Sequence, residues 1–525
     1  MGRRINKNLP ASRLLLFFIA VIGAPLLSLL LYSFYNEGKL SFSSFQFLGN
    51  KTILLSLLNS VIIASGTALF SSVVGCILSF YLFKIKTRYT AIVRTIVMIP
   101  LFLSPYTVGV AWSDLLYRIG INQSNLQNPA GVIIVLVTIY TPIPFLIVSG
   151  SWKNIGSSIE ESGLLMASYN KILWKVVLPL LKPALISSFI LVFILSLSEY
   201  GLPSVFQVNT FTVQLFTQFT AFYNYSAAYA QSLILILISV LLIIPEKRYL
   251  ADAPFFGFSR RGAASLLLPV QKHMPGFLAC VLYLIISVLL PLVFLLLEAS
   301  RNRARPILSV IDQLFPVLFS SLRYSMVAAV IMTLIGYLFS VASVRYGQKK
   351  GDLLLLLFFA VPALVTGIAL IQFYNTPLLQ FIYSSSLIII IGYISRFAFI
   401  ANKAISASLS QIPPVYEDAV KIISGQRSYR IFRIQLPLIS EGLFNAFLIS
   451  FLLCFSEIST TIMLYPPGTS LLPIKVFTLM ANASQSQVSA MNSFVVLATL
   501  IIVIIFFALK KLFLNQQWRR RPAYN

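Results

Sequence analysis

Two stretches of the chain are diverged copies of each other: residues 160–179 read EESGLLMASYNKILWKVVLP, and residues 418–437 read DAVKIISGQRSYRIFRIQLP. Each copy begins with an acidic residue and ends nineteen positions later in a Leu-Pro pair. The second copy starts 258 residues after the first (418 against 160), about half of the 525-residue chain. A polar loop that occurs twice in very apolar sequence predicts an internal duplication. Each half would then carry one copy of this polar loop, and a partner would bind both copies.

The composition is that of a membrane protein. The chain is 58% hydrophobic and 10% charged, whereas about a quarter of the residues of soluble proteins are charged. The net charge of +25 does not indicate nucleic-acid binding, because the 39 basic residues mostly lie in short segments between apolar runs. The single histidine, His273, and the cysteines Cys76, Cys280 and Cys454 have no spacing typical of a metal site or a disulfide framework. We therefore predict neither a metal site nor a catalytic site.

We predict an all-α polytopic membrane protein with about twelve membrane-spanning helices, because an apolar run of roughly 20 residues crosses a bilayer. In the first half the spans are 12–35, 53–83, 91–116, 131–150, 183–206 and 227–245. In the second half they are 275–297, 318–344, 353–374, 384–402, 441–464 and 489–509. The first run is too long for a signal-peptide core and is predicted to be an uncleaved helix.

The basic residues predict the orientation, since cytoplasmic loops are enriched in Lys and Arg. Both termini and both copied segments fall on the cytoplasmic side, and the loops 207–226 and 375–383 fall outside without any charge. A cluster of three arginines is the exception and falls outside: Arg301, Arg303 and Arg305. Six spans in each half give both halves the same orientation, which predicts a parallel repeat. The predicted organisation is a first half at 1–246, a cytoplasmic linker at 247–273 and a second half at 274–525.

The copied segments resemble the cytoplasmic loop of the permeases of type I ATP-binding-cassette (ABC) importers. That family's pattern is Glu-Ala-Ala, three residues, Gly, nine residues, Ile, one residue, and Leu-Pro. Met166 and Ser424 stand where the family has glycine, and Gly425 is displaced by one position. The resemblance implies loops at 157–182 and 415–440 that dock on an ATPase. The residues carried over are Glu160, Glu161, Ser162, Met166, Ala167, Leu178, Pro179, Asp418, Ala419, Val420, Ser424, Gly425, Leu436 and Pro437.

The same resemblance implies the partners. Two loops imply two copies of a cytoplasmic ABC ATPase, and the family also uses an extracytoplasmic solute-binding protein. The sequence has no Gly-x-x-x-x-Gly-Lys-Ser/Thr phosphate loop, so ATP and Mg²⁺ are expected on the ATPase subunits and no cofactor on this chain. The expected location is the bacterial cytoplasmic membrane, and the expected mechanism is alternating access.

Two pairs of polar residues recur at the 258-residue offset: Ser198-Glu199 and Ser456-Glu457. Carboxylates inside a membrane are costly, so they mark candidate sites on the translocation path. The alternative is that each accepts hydrogen bonds from neighbouring helices, and the sequence leaves both interpretations open. An ion-coupled secondary transporter would need further acidic residues in mid-span, and apart from Glu199 and Glu457 the spans offer almost none.

The cargo is suggested by resemblance within the importer class. The fused twelve-span plan, SEYGLP at 198–203 and EISTTIMLYPPGT at 457–469 are similar to ferric iron permeases. Thiamine permeases share the fused plan and are the nearest alternative. Polyamine and phosphonate permeases usually occur as separate halves, so ferric iron is the favoured expectation.

Overall fold

The computed structural model describes residues 10–36, 39–40, 42–84, 90–120, 122–154, 162–249, 274–300, 305–413, 415, 429, 431–480 and 482–519. Apart from one small hairpin, β1 (Tyr35–Asn36) paired antiparallel with β2 (Lys39–Leu40), the regular structure in these ranges is helical. Nine helices in the described ranges are long and apolar enough to cross a membrane, or up to twelve if each of three bent pairs is one span. The prediction of an all-α polytopic membrane protein built from two repeats is confirmed.

The helices of the first half are α1 (Pro10–Phe18), α2 (Ala24–Tyr32), α3 (Lys51–Lys84), α4 (Thr90–Ile96), α5 (Pro105–Arg118), α6 (Pro129–Tyr140), α7 (Pro142–Asn154), α8 (Tyr169–Ile172), α9 (Leu178–Leu197), α10 (Gly201–Val205), α11 (Phe211–Thr220) and α12 (Tyr225–Tyr249). Short 3₁₀ segments lie at Ser43–Gly49, Ile99–Phe102 and Gln123–Leu126. Most of the predicted linker, residues 250–273, lies outside the described residues.

The helices of the second half are α13 (Met274–Leu284), α14 (Leu290–Ala299), α15 (Arg305–Tyr346), α16 (Lys350–Ala360), α17 (Ala363–Tyr374), α18 (Gln380–Tyr383), α19 (Leu387–Leu409), α20 (Leu436–Ser456), α21 (Thr461–Leu464), α22 (Leu472–Met480) and α23 (Gln485–Arg519).

Four π-helical turns show the duplication in the backbone. They occur at Ile19–Gly23, Leu173–Val177, Ile285–Leu289 and Ile431–Gln435. Each is followed directly by an α-helix whose second residue is proline, as in the Leu-Pro pair of each copied segment. Proline has no N–H and its ring collides with the carbonyl four residues earlier. The wider π-turn avoids that collision, so each helix continues through its proline.

Three of the predicted spans are each formed by two helices that meet at a bend. The chain turns by 98° between Phe102 and Pro105 and by 99° between Ala360 and Ala363, while α6 and α7 meet at 44°. Two of the three bends are therefore close to a right angle. Each break begins a new helix with proline at or just before its first residue, where its missing N–H leaves no bond unmade.

The predicted spans 183–206 and 441–464 are also wrong at their ends. Helix α9 stops at Leu197 and α20 stops at Ser456. Glu199 and Glu457 therefore lie just beyond the helix ends and not inside continuous spans. A hydropathy window runs through such a break because the short helices that follow are equally apolar.

The two halves interlock by exchanging their first spans. Helix α2 of the first half packs against α17 of the second half, and α14 of the second half packs against α5 of the first. The Tyr374 hydroxyl donates to the Val21 carbonyl at 2.9 Å, and the Arg118 guanidinium pairs with the Glu298 carboxylate at 3.0 Å. This reciprocal packing joins the halves around a shared interior.

Candidate functional site

The first copied segment has an exposed apolar tip at Leu165 and Met166. Glu160 and Glu161 lie outside the described residues, so the described part of this segment starts at Ser162, in a helical turn over 162–164. The backbone N–H of Met166 donates to the Gly163 carbonyl at 2.9 Å and closes the following turn. Leu165 and Met166 are each 91% exposed, whereas Ala167 is partly buried against the core. An apolar tip this exposed is typical of a surface that another protein covers.

Both copied segments carry an exposed aromatic side chain on their π-turn. Trp174 is 68% exposed and Phe432 is 69% exposed, and they stand 258 residues apart (432 against 174). Leu178 and Pro179 begin α9, and Leu436 and Pro437 begin α20 at the same offset. In each pair the leucine is partly buried and the proline exposed.

The remaining predicted residues of the second copied segment are Asp418, Ala419, Val420, Ser424 and Gly425, and all of them lie outside the described residues. The coupling role of both segments stays a prediction.

Glu199 and Glu457 each bind the turn that follows their helix. Glu199 Oε1 accepts hydrogen bonds from the backbone N–H groups of Gly201 (3.0 Å) and Leu202 (3.4 Å). Its Oε2 accepts from the Tyr140 hydroxyl at 3.1 Å. Glu457 Oε1 accepts from the N–H of Thr460 at 2.9 Å and from its hydroxyl at 3.2 Å. Hydrogen bonds to protein groups thus account for both oxygens of Glu199 and for one oxygen of Glu457.

Ser198 and Ser456 are equivalent in sequence but have different partners. The Ser198 hydroxyl accepts from the backbone N–H of Ala363 at 2.9 Å, so the first half caps α17 of the second half. The Ser456 hydroxyl donates to the Leu452 carbonyl of its own helix at 3.1 Å. The duplication of the sequence is therefore not matched by identical contacts in this conformation.

A cavity of about 60 Å³ lies between the two halves. Glu199, Ser456 and Glu457 line it, whereas Ser198 does not. Most of the remaining wall is apolar: Leu101, Leu103, Pro105, Ile139, Ile143, Leu191, Leu195, Phe397, Ile400, Ile449 and Leu453. Three of the four residues predicted to flank the path thus share one cavity.

The cavity wall also contains Arg396 of α19, which the sequence analysis missed. The residue is 5% exposed, and its Nε and Nη1 have no hydrogen-bond partner among the described residues. The signal was available, because a lone arginine inside the predicted span 384–402 is as costly in a membrane as a carboxylate.

The spans also hold more acidic residues than the sequence analysis counted. Asp114 in α5 is buried and accepts hydrogen bonds from the Gln485 amide at 3.0 Å and from the Ser489 hydroxyl. Glu298 is buried and pairs with Arg118. These contacts all cross between the halves, and neither acid lines the cavity. They join the two halves and show no arrangement for binding a coupling ion.

Within the described ranges, no three His, Cys, Asp or Glu side chains are placed to hold a metal ion.

Comparison with known families gives two matches along the chain. The model of the family described as "Binding-protein-dependent transport system inner membrane component" matches residues 71–245 and again residues 348–520. Together the two matches cover more than half of the chain, and each includes one copied segment.

Comparison with individual proteins gives some relatives that match almost the whole chain and others that match about half of it. A ferric transport system permease protein of Actinobacillus pleuropneumoniae is 24% identical, over 94% of this chain and 76% of the relative. An Fe(3+)-transport system permease protein of Haemophilus influenzae is 25% identical, over 95% of this chain and 98% of the relative. A putative 2-aminoethylphosphonate transport system permease protein of Salmonella typhimurium is 23% identical, over 45% of this chain and 93% of the relative.

Proposed function

The chain belongs to the family of inner-membrane components of binding-protein-dependent transport systems, and we propose that the cargo of this ABC importer permease is ferric iron. One observation carries the choice of cargo: the relatives that match almost the whole fused chain are ferric permeases. The phosphonate relative matches less than half of it. The chain is a multi-pass transport subunit and not an enzyme.

The energy comes from two copies of a cytoplasmic ABC ATPase, which hold the ATP and the Mg²⁺. The exposed Leu165 and Met166 support a docking role for the first copied segment, because apolar side chains at a loop tip gain free energy when a partner covers them. The equivalent exposed aromatics, Trp174 and Phe432, support a second docking site of the same kind. Both copied segments and both termini face the cytoplasm, as the basic loops predict.

The cargo arrives on an extracytoplasmic solute-binding protein and passes between the halves. The cavity lined by Glu199 and Glu457 is the candidate path, since residues of both halves form its wall. Closure of the ATPase pair draws the two copied segments together and rocks the halves about the cavity. Reciprocal packing of α2 on α17 and of α14 on α5 favours rigid-body rocking over bending of single helices.

Reconstitution tests the cargo directly. The permease and its ATPase are placed in liposomes with ATP on the ATPase side, and the binding protein is added on the other side with labelled ferric iron, thiamine or 2-aminoethylphosphonate. We expect ATP-dependent accumulation of ferric iron alone, and none when ADP replaces ATP. Accumulation of thiamine or the phosphonate in place of iron would overturn the cargo, and accumulation without ATP would overturn the mechanism.

A further inference from the structure

Arg396 is a buried charge that makes no ion pair with another side chain in the described part of the chain. It is 5% exposed, and its Nε and Nη1 make no hydrogen bond with any residue that the structure describes. Its nearest aromatic neighbours, Phe359 and Phe397, lie with their ring centres 6.0 Å from the guanidinium carbon, which is the outer limit of a cation–π contact. Removing a guanidinium from water costs several kcal/mol unless an anion replaces the lost hydration. The described surroundings of Arg396 supply no such anion in direct contact.

The two carboxylates that line the cavity with Arg396 already accept hydrogen bonds from other groups. Glu199 uses both oxygens on Gly201, Leu202 and Tyr140, and one oxygen of Glu457 is bound by Thr460. Neither forms a hydrogen bond or an ion pair with Arg396 in the described part of the chain, although all three side chains line the same cavity. Arg396 therefore has two donors without a hydrogen bond and lies in the wall of the cavity. A guanidinium with unused forked donors matches the geometry of an oxyanion.

We propose that Arg396 binds an oxyanion group of the transported species inside the cavity between the halves. This inference rests on the proposed function only in treating the cavity as the path of the cargo. A bare ferric ion offers nothing to a guanidinium, which would repel it. A cavity with one free arginine and two carboxylates fits a species of mixed charge, that is, a ferric ion carrying an oxyanion ligand. The same chemistry also allows a free oxyanion to bind, and the test separates the two.

The test is equilibrium dialysis of the permease with its ATPase in lipid nanodiscs. Three labelled probes are used: inorganic phosphate, citrate and ferric citrate. We expect the wild-type complex to bind at least one of them. We expect Arg396→Gln to bind that probe about 10- to 100-fold more weakly, because it loses a charge-assisted hydrogen bond. Arg323→Gln is the matched control, since Arg323 is an exposed arginine on α15 that does not line the cavity.

The outcomes are distinct. Binding of ferric citrate alone identifies a metal-bound oxyanion, and binding of phosphate or citrate alone identifies a free oxyanion; both support the proposal if Arg396→Gln weakens them. The proposal is overturned if the wild type binds no probe, or if Arg396→Gln binds as well as the wild type. The second result would fit a role for Arg396 in pairing with Glu457 in another conformation.

A second variant is tested if the first one does not fold. If Arg396→Gln is not recovered as a monodisperse complex, Arg396→Lys replaces it, because it keeps the charge and loses the fork. Weaker binding by that variant supports the proposal, and equal binding overturns it. Since binding is measured without transport, a wild type that fails to accumulate iron counts against the cargo and leaves this result interpretable.

Discussion

Replacing Leu165 and Met166 together by serine is expected to weaken ATPase binding while leaving the permease folded. Both side chains are 91% exposed, so they make little contact with the described part of the chain. Burying a leucine or methionine side chain completely contributes about 1.5–3 kcal/mol. If docking buries both at the lower end of that range, the loss is about 3 kcal/mol, or roughly 100-fold in the Kd of the ATPase. The free energy of unfolding should change little, since the mutated positions are on the surface.

The assay titrates labelled ATPase onto the permease in nanodiscs and compares three proteins: wild type, the double variant and Leu378→Ser. Leu378 is the matched control, because it is 84% exposed and lies in the loop 375–383, which is predicted to face outside. We expect wild-type affinity for the control. An unchanged Kd for the double variant would refute the docking role of the loop tip. Equal weakening by the control would show that the effect is not specific to the copied segment.

Three further outcomes are expected. Glu160→Ala combined with Asp418→Ala should impair ATPase assembly without changing membrane insertion, and unchanged uptake in cells would contradict the coupling role. Gly336→Ala should lower the thermal unfolding midpoint by an amount equivalent to about 1–3 kcal/mol, because a Cβ there would lie 2.9 Å from the backbone of α19; Gly49→Ala, with open space around it, should have no such effect. Ser198→Ala should lower the free energy of unfolding by about 1–3 kcal/mol, because the first backbone N–H of α17 would lose its acceptor. A thermal unfolding midpoint equal to that of the wild type would count against the cap between the halves.

Sequence alone was sufficient for the features that depend on local pattern. The number of spans and their duplication follow from runs of apolar residues and from the 258-residue offset. The Leu-Pro pair that ends each copied segment begins α9 and α20, a few residues before the predicted spans 183–206 and 441–464. These features need no knowledge of which helices touch.

Other features depend on contacts between helices far apart in the chain. The bends of 98° and 99° are not encoded by Pro105 and Pro362 alone, since proline sets only where a helix can restart. The helix after each bend packs against a helix of the other half, α5 against α14 and α17 against α2, and these contacts cannot be read from the local sequence. Likewise Ser198 and Ser456 look equivalent in sequence, and only the assembled halves show that one of them caps a helix of the other half.

The central claim is that both copied segments face the compartment that holds the ATPase. Its most direct test is labelling by a membrane-impermeant maleimide after Cys76, Cys280 and Cys454 have been replaced by alanine, with Met166→Cys and Leu378→Cys made separately. We predict that Met166→Cys reacts in inside-out vesicles and stays unlabelled in intact cells, whereas Leu378→Cys shows the opposite pattern. Labelling of Met166→Cys from the outside of intact cells would contradict the account.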